Sequence, residues 1–402
     1  MRLSRNRHSL WPFALMSAAY FGHIGFFNPF LPLWLKDMGL GLVAISALTA
    51  MQAATRLVAP FGWGWLSDHL GQRERLLRWC TLLALLAALL LMWPWPLWGT
   101  TLVLLVLFVH TSALMPMTEA AVAQRVSQDG QFDAHRYGRA RLWASVGFLV
   151  SVLAAGYWFE RMGTHHFPLL GALTLGLVLL TAFLLPRSPR KPPHPVGAKT
   201  PPARMRDWLG KPRTRWFLIS VVAQVLAHMG IYQFFSLYID SLGHARSNVG
   251  MLWAVAVLAE IVWFFFQARW FSRLSLSGWL RLSAAVVLLR MLLTAAAGEH
   301  LWVLWLAQLL HAVTFGAHHT ACMAWLAQTV PTPLQGRAQA LYSVLAYGLT
   351  GLLGGLLGGL LSEHLGLRAV FWACTAVALL ALLAAHRLHG LLHPPRPKES
   401  SR

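Results

Sequence analysis

The chain has 402 residues, of which 57% are hydrophobic and 11% charged. A soluble domain carries about 25% charged residues, and here the deficit runs from end to end, which excludes an ordinary water-soluble protein. The net charge of +20 would suit a nucleic-acid binder, but the basic residues gather in every second loop between apolar stretches, a pattern that belongs to membrane topology.

A bilayer crossing needs ~20 mostly apolar residues. Such stretches are predicted at 11–35, 43–66, 76–93, 98–126, 137–158, 166–186, 214–238, 248–268, 280–297, 301–328, 337–361 and 367–386. Runs such as Leu82–Met92 are apolar without a break, unlike the alternating strands of a β-barrel. The first stretch is too long for a signal-peptide core, and no small-x-small site follows it. Of the 33 Lys and Arg residues, 27 fall in the termini and in the loops on one side. The opposite loops hold Lys36, Arg161, Arg246 and Arg368, and Arg56 and Arg290 lie inside spans. The positive-inside rule then places both termini in the cytoplasm of a multi-pass inner-membrane protein. Anionic lipid is a secondary partner for the basic loops. Cys80, Cys322 and Cys374 show neither disulfide nor zinc spacing.

Residues 187–213 form a basic, Pro-rich linker. It divides an N-terminal half, 1–186, from a C-terminal half, 214–402, with a basic tail. The halves repeat at an offset of about 200: His23-Ile-Gly25 matches His228-Met-Gly230, Trp65-Leu-Ser67 matches Trp270-Phe-Ser272, and His110 matches His311. Gly138-Arg-Ala140 matches Gly336-Arg-Ala338, and Glu160-Arg-Met-Gly163 matches Glu363-His-Leu-Gly366. Two six-span repeats of parallel topology predict alternating access around a midplane site.

Ionisable groups inside spans are expensive and mark function by default. Of 13 acidic residues only Glu119 and Glu260 sit deep, and Arg290 is opposite in sign to Glu260 on the next span. In the tenth span Gln308, His311, Thr314 and His318 share one helix face, so His311 is a candidate proton carrier. His23 and His228 hold equivalent repeat positions and are candidates to face a substrate, with pseudosymmetric packing as the alternative. Trp143 is a candidate to stack on a ligand. The span-11 glycines Gly351, Gly354, Gly355, Gly358 and Gly359 form small-xxx-small pairs for close helix packing. Adjacent histidines such as His165-His166 point ~100° apart on a helix and chelate poorly. No metal site and no cofactor are expected.

After the second span comes Gly64-Trp-Leu-Ser-Asp68-His-Leu-Gly71-Gln-Arg73. This resembles the signature loop of the major facilitator superfamily, with His69 and Glu74 in place of two usual basic residues, and implies an all-α membrane fold of 12 helices. Pro29-Phe-Leu-Pro-Leu-Trp-Leu35 and Tyr137-Gly-Arg-Ala-Arg-Leu-Trp-Ala-Ser-Val-Gly147 resemble the lactose permease group of proton symporters. That resemblance implies substrate binding by Glu119 and Arg141, and proton coupling by Glu260, Arg290 and His311. Thr314 stands where that group has a further acidic residue. The tyrosine-led stretch, with Val249–Glu260 and Gln308–Phe315, is also similar to the 3-phenylpropionate permease family, which implies uptake of an aromatic monocarboxylate with a proton. The repeat partner of Arg139 is Arg337, but that of Arg141 is Gln339, so Arg141 is specific to one half.

The expected function is a secondary active transporter, a proton-coupled importer of a small organic acid. The alternatives are a sugar or nucleoside symporter and a drug efflux antiporter. A membrane enzyme or metal protein is disfavoured, because no H-E-x-x-H, nucleophile elbow or P-loop occurs. The expected partners are a small molecule, a proton and the bilayer, with no nucleic acid and no named protein.

Overall fold

The computed structural model describes residues 10–70, 73–118, 127–128, 131–132, 134–186, 204–331 and 334–393. Among the described residues there are twelve long helices: α1 Trp11–Asp37, α2 Leu42–Leu70, α3 Arg73–Leu90, α4 Leu97–Thr118, α5 Ala134–Met162, α6 Phe167–Leu184, α7 Pro212–Ser241, α8 Arg246–Phe271, α9 Leu276–Ala297, α10 Leu301–Thr329, α11 Gln335–Leu365 and α12 Leu367–Leu392. A short helix, Met205–Leu209, occupies part of the linker, whose residues 187–203 lie outside the described ones. A two-stranded hairpin pairs Ser127–Gln128 with Gln131–Phe132.

Ten of the twelve helices contain stretches both long and apolar enough to cross a membrane. The other two have the length. α1 carries His23, Asn28, Pro29 and Pro32, and α3 carries Arg73, Glu74, Arg75 and Arg78, which lower their hydropathy. Proline starts α1, α6 and α7, where its missing N–H costs nothing. Ser275 caps α9 by accepting the Gly278 N–H at 3.1 Å, one of the donors a helix start leaves free. Leucines, valines and aromatics such as Phe265, Val58, Trp302 and Leu180 point outward. So much exposed apolar surface is a liability in water and the natural outer face in lipid.

The helices cluster into two compact units, Met1–Val196 with Phe235–Ala254, and Gly197–Phe234 with Val255–Arg402. In the first, α1 packs on α5 and α6, and α3 on α4 and α6; in the second, α7 packs on α11 and α12, and α9 on α10 and α12. These pairings are the same set, displaced by six helices, as the sequence repeat predicts. The positive-φ glycines among the described residues also fall into two repeat pairs. Gly39 (86°) and Gly243 (77°) follow α1 and α7, while Gly163 (69°) and Gly366 (81°) follow α5 and α11. Each reverses the chain at the same place in its repeat with a conformation that costs glycine little. In the second unit, Cβ atoms added at Gly354 and Gly358 would come within 2.5 Å of Met229 and 2.6 Å of Phe234, so the glycine stripe of α11 lets α7 approach closely.

The four basic residues in the otherwise charge-poor loops all have local partners. Lys36 pairs with Asp240 at 2.6 Å, and Arg368 with Glu299 at 3.2 Å. Arg161 lies over the Tyr157 ring at 4.1 Å. Arg246 grips both oxygens of Asp37 at 2.6 and 2.8 Å and also reaches Asp240. Asp37 further accepts from Thr164 at 2.6 Å, and Glu160 from the Ser247 N–H. Together these bonds tie residues 235–254 to α1 and α5 within the first unit. Asp37 lies beyond the apolar span. Partial burial pushes its carboxyl up, but the hydrogen bonds and charge of Arg246 and the bond from Thr164 outweigh this and hold it below the usual 3.8. Asp37→Asn is expected to lower stability by about 1 kcal/mol or less, because the pair is partly solvated. A carboxyl with a depressed folded pKa stabilises above its unfolded pKa, and that contribution is lost as pH falls through the folded value. The difference between wild type and variant in thermal midpoint should therefore be present above about pH 3.8 and fade below it.

Candidate functional site

The densest buried polar network lies in the second unit, on α7, α8, α9 and α10. Arg290, in α9, is 1% exposed. Its Nη1 donates to His311 Nδ1 and to Thr314 Oγ1, both at 3.1 Å, and its Nη2 donates to Gln308 Oε1 at 2.7 Å. Gln308, His311 and Thr314 recur at steps of three on α10, so one helix face supplies all three acceptors. A guanidinium has no acceptor of its own, so His311 Nδ1 must carry the lone pair. The ring proton is thereby assigned to Nε2, which faces Glu260 Oε2 at 3.4 Å. Glu260 and Arg290, opposite in sign on successive spans, are bridged by His311, which contacts both.

Around this chain α10 opens into a π-helical segment, Ala312–Ala317. Wide turns of this kind free backbone carbonyls and concentrate at functional sites. The Val313 carbonyl accepts from Ser283 Oγ at 2.7 Å, and that of Thr314 accepts from Gln224 Nε2 at 3.2 Å. Gln224, on α7, also turns its own carbonyl to His228 Nδ1 at 2.8 Å, and the His228 ring stacks on Tyr232. His228 Nε2, Gln224 Oε1, Gln308 Nε2 and Arg290 Nε are buried with no hydrogen-bond partner among the described residues. Such atoms are costly unless something pairs with them, and they are the donors and acceptors open to a solute. His318 turns away from this network and lies 3.5 Å from Cys322.

A second polar concavity lies in the first unit, walled by α1, α2 and α4. Arg56, Gln52, Asn28, Tyr20 and Thr111 line it, with Phe27 and Phe108 as aromatic walls. Gln52 Nε2 donates to Asn28 Oδ1 at 3.1 Å. His23 also reaches this wall, but its Nδ1 bonds Thr174 Oγ1 at 2.9 Å and its ring packs on Phe26 and Phe27. Trp143 sits edge-on to Trp11 at 5.2 Å and is not among the residues lining that concavity. Glu119 and Gly71 lie outside the described residues, as do the side chains of Arg141, Asp68 and Arg73 and the surroundings of Gly64. Among the described residues no cluster of three or more metal-ligating side chains forms.

Comparison with known proteins gives this architecture its place. A model of the MFS_1-like family matches residues 10–373. The chain belongs to this family of the major facilitator superfamily. It is similar to the probable 3-phenylpropionic acid transporter of Escherichia coli (strain K12), with 30% identity over 92% of this chain and 95% of that protein. The maltose permease of Geobacillus stearothermophilus is 28% identical over 92% of this chain and 93% of its own. Among solved structures, the nucleoside transporter NupG superposes with a TM-score of 0.80 at 14% identity, covering 94% of this chain and 98% of that one. A peptide transporter POT in complex with alafosfalin superposes at 0.75 and 12%, covering 96% of each chain. At such identities the structural matches speak for the fold alone. This family member is a multi-pass membrane transporter of the major facilitator type, and its relatives are transporters and not enzymes.

Sequence reasoning found Glu260, Arg290 and His311 from their charge inside apolar spans, and the structure brings the three together. It placed Gln224 near His228 without giving it a partner and passed over Ser283; both matter because the π-helical segment frees carbonyls beside them. It noted Arg56 without assigning it a role.

Proposed function

We propose that the chain is a proton-coupled importer of a small organic acid such as 3-phenylpropionate, working by alternating access in the inner membrane with both termini cytoplasmic. The observation that carries this reading is the chain from half-buried Glu260 through buried His311 to buried Arg290. A proton arriving at His311 would turn Nδ1 into a donor facing the Arg290 donor, and the Arg290 bond would have to break. A proton on Glu260 removes one charge and leaves the bonds of Arg290 to His311, Thr314 and Gln308 in place. The carboxyl is therefore the group to which the proposal assigns the coupled proton, and His311 is the fixed donor that ties its charge state to the Arg290 network. Loss of the carboxylate charge weakens the contact to His311, which lies inside α10 just before its π-helical segment; this offers a route from protonation to helix movement. His228 and Gln224, with polar atoms to spare, suit substrate contact on the same unit, and Glu119 and Arg141 remain in the proposal on the lactose permease resemblance. The organic-acid reading draws support from the relative named as a probable 3-phenylpropionic acid transporter. A sugar is the second reading, because a comparably complete relative is named a maltose permease.

The test is uptake of labelled 3-phenylpropionate into proteoliposomes, read against protein-free liposomes because the neutral acid itself crosses lipid. Accumulation that needs an inward proton gradient and collapses with a protonophore is expected. Maltose driving accumulation where 3-phenylpropionate does not would favour the sugar reading. Equal uptake with and without the gradient would remove proton coupling.

A further inference from the structure

We infer that Arg56 is the anchor of a carboxylate subsite in the first unit; this deepens the organic-acid reading above and rests on it. Arg56 is the middle residue of α2, Leu42–Leu70. It lies inside the apolar span of that helix, Leu42–Trp63, where an arginine is expensive and function is the default explanation for retaining it. Its guanidinium lines the polar concavity of α1, α2 and α4, and no carboxylate is among the residues lining that space. No ion pair or hydrogen bond ties it down among the described residues. This is the opposite of Arg290, whose terminal nitrogens are spent on three neighbours and which is shut away from solvent. Arg290 keeps Nε without a partner but is buried, so a substrate carboxylate reaches it only if the packing around it opens. Arg56 can offer two parallel N–H groups to a carboxylate without losing a bond, the bidentate geometry in which Arg–carboxylate pairs are strongest.

The rest of the concavity suits a monocarboxylate with an apolar body. Gln52 and Asn28 are bonded to each other, which holds two amides beside the guanidinium, and Tyr20 adds a hydroxyl. Phe27 and Phe108, buried against each other and other aromatics, close the back of the concavity and make that wall apolar. A sugar, a neutral amide or an alcohol would accept from the guanidinium but leave its charge without a counter-ion. The subsite therefore takes a carboxylate joined by a short linker to an apolar group.

The experiment uses the full chain in proteoliposomes. Concentration dependence of gradient-driven 3-phenylpropionate uptake is measured for wild type, Arg56→Gln and Arg56→Lys, with 3-phenylpropionamide as the uncharged competitor. The wild type is expected to prefer the acid over the amide strongly. Arg56→Gln is expected to raise the half-saturating concentration of the acid at least ~10-fold and to abolish the preference. Arg56→Lys should fall between, because a lysine is a point charge and not a fork. Wild-type half-saturation and acid preference in Arg56→Gln would overturn the assignment of Arg56 alone. The same result in Arg56→Lys would overturn the fork, and that variant keeps the test alive if the Gln variant does not fold. Absence of acid uptake by the wild type would instead take down the organic-acid reading, and this subsite with it.

Discussion

Glu260→Gln is expected to abolish accumulation of substrate against its gradient while leaving the protein folded and able to exchange substrate across the membrane. Glutamine keeps the size of the side chain and an oxygen that can accept from His311 Nε2–H, so the 3.4 Å contact survives in a weakened, uncharged form. What is lost is the group that gains and gives up a proton. Each coupled proton moving down one pH unit supplies about 1.4 kcal/mol, a factor of about ten in accumulation. The variant should therefore equilibrate substrate to equal concentrations where the wild type concentrates it several-fold or more. The measurement is steady-state uptake under a fixed pH difference beside counterflow of preloaded substrate. Retained accumulation in the variant would place the proton elsewhere. Loss of counterflow as well would mean that Glu260 serves binding or folding and not coupling.

Gly147→Val is expected to be the most damaging single change in the first unit. α1 and α5 meet at Gly22, Gly25, Gly147 and Phe148. A Cβ at Gly25 would stand 2.6 Å from the Phe148 carbonyl oxygen, and one at Gly147 would overlap the carbonyl oxygen of Ala18. The obstructing atoms are backbone, so no side-chain rotation relieves them and the helices must separate. Overpacking in a close-packed interior costs about 1–3 kcal/mol, and forced separation of two helices lies at or beyond the upper end. A large fall in thermal midpoint, or failure to accumulate in the membrane, is the expected result. Gly176→Val is the control, because an added Cβ there meets nothing within 4 Å. Similar behaviour of the two variants would show that the α1–α5 contact is looser than described.

Much of this architecture is legible in the residues because a bilayer simplifies the rules. Hydrocarbon forbids unpaired backbone, so apolar runs of the right length are helices, and the offset of about 200 pairs them into repeats. The two glycine pairs, Gly39 with Gly243 and Gly163 with Gly366, show how far the repeat extends into backbone conformation. The charged site was visible for the same reason: Glu260 and Arg290 stand out against apolar neighbours. What the sequence does not reveal depends on contacts between distant positions or on local departures from regular helix. The attachment of Asp37 to Arg246, 209 residues apart, has no periodic signature, although the position of Lys36 and Arg246 in charge-poor loops hinted that each needs a carboxylate nearby. The π-helical segments of α7, α10 and α11 leave no composition signal, so Gln224 and Ser283 were unreadable as partners of free carbonyls. Trp143, a candidate from the sequence for stacking on a ligand, meets another indole, Trp11, edge-on, a contact with no signature in the sequence.

The central claim is that substrate and proton cross together, with Glu260 as the group proposed to carry the proton. It is tested most directly by adding 3-phenylpropionate to weakly buffered, de-energised proteoliposomes and following external pH. Coupled entry predicts a rapid alkalinisation of the medium above the slow drift of protein-free liposomes, present in wild type and absent in Glu260→Gln. Substrate entry by the wild type with no alkalinisation beyond that drift, or the same alkalinisation in the variant, would contradict it.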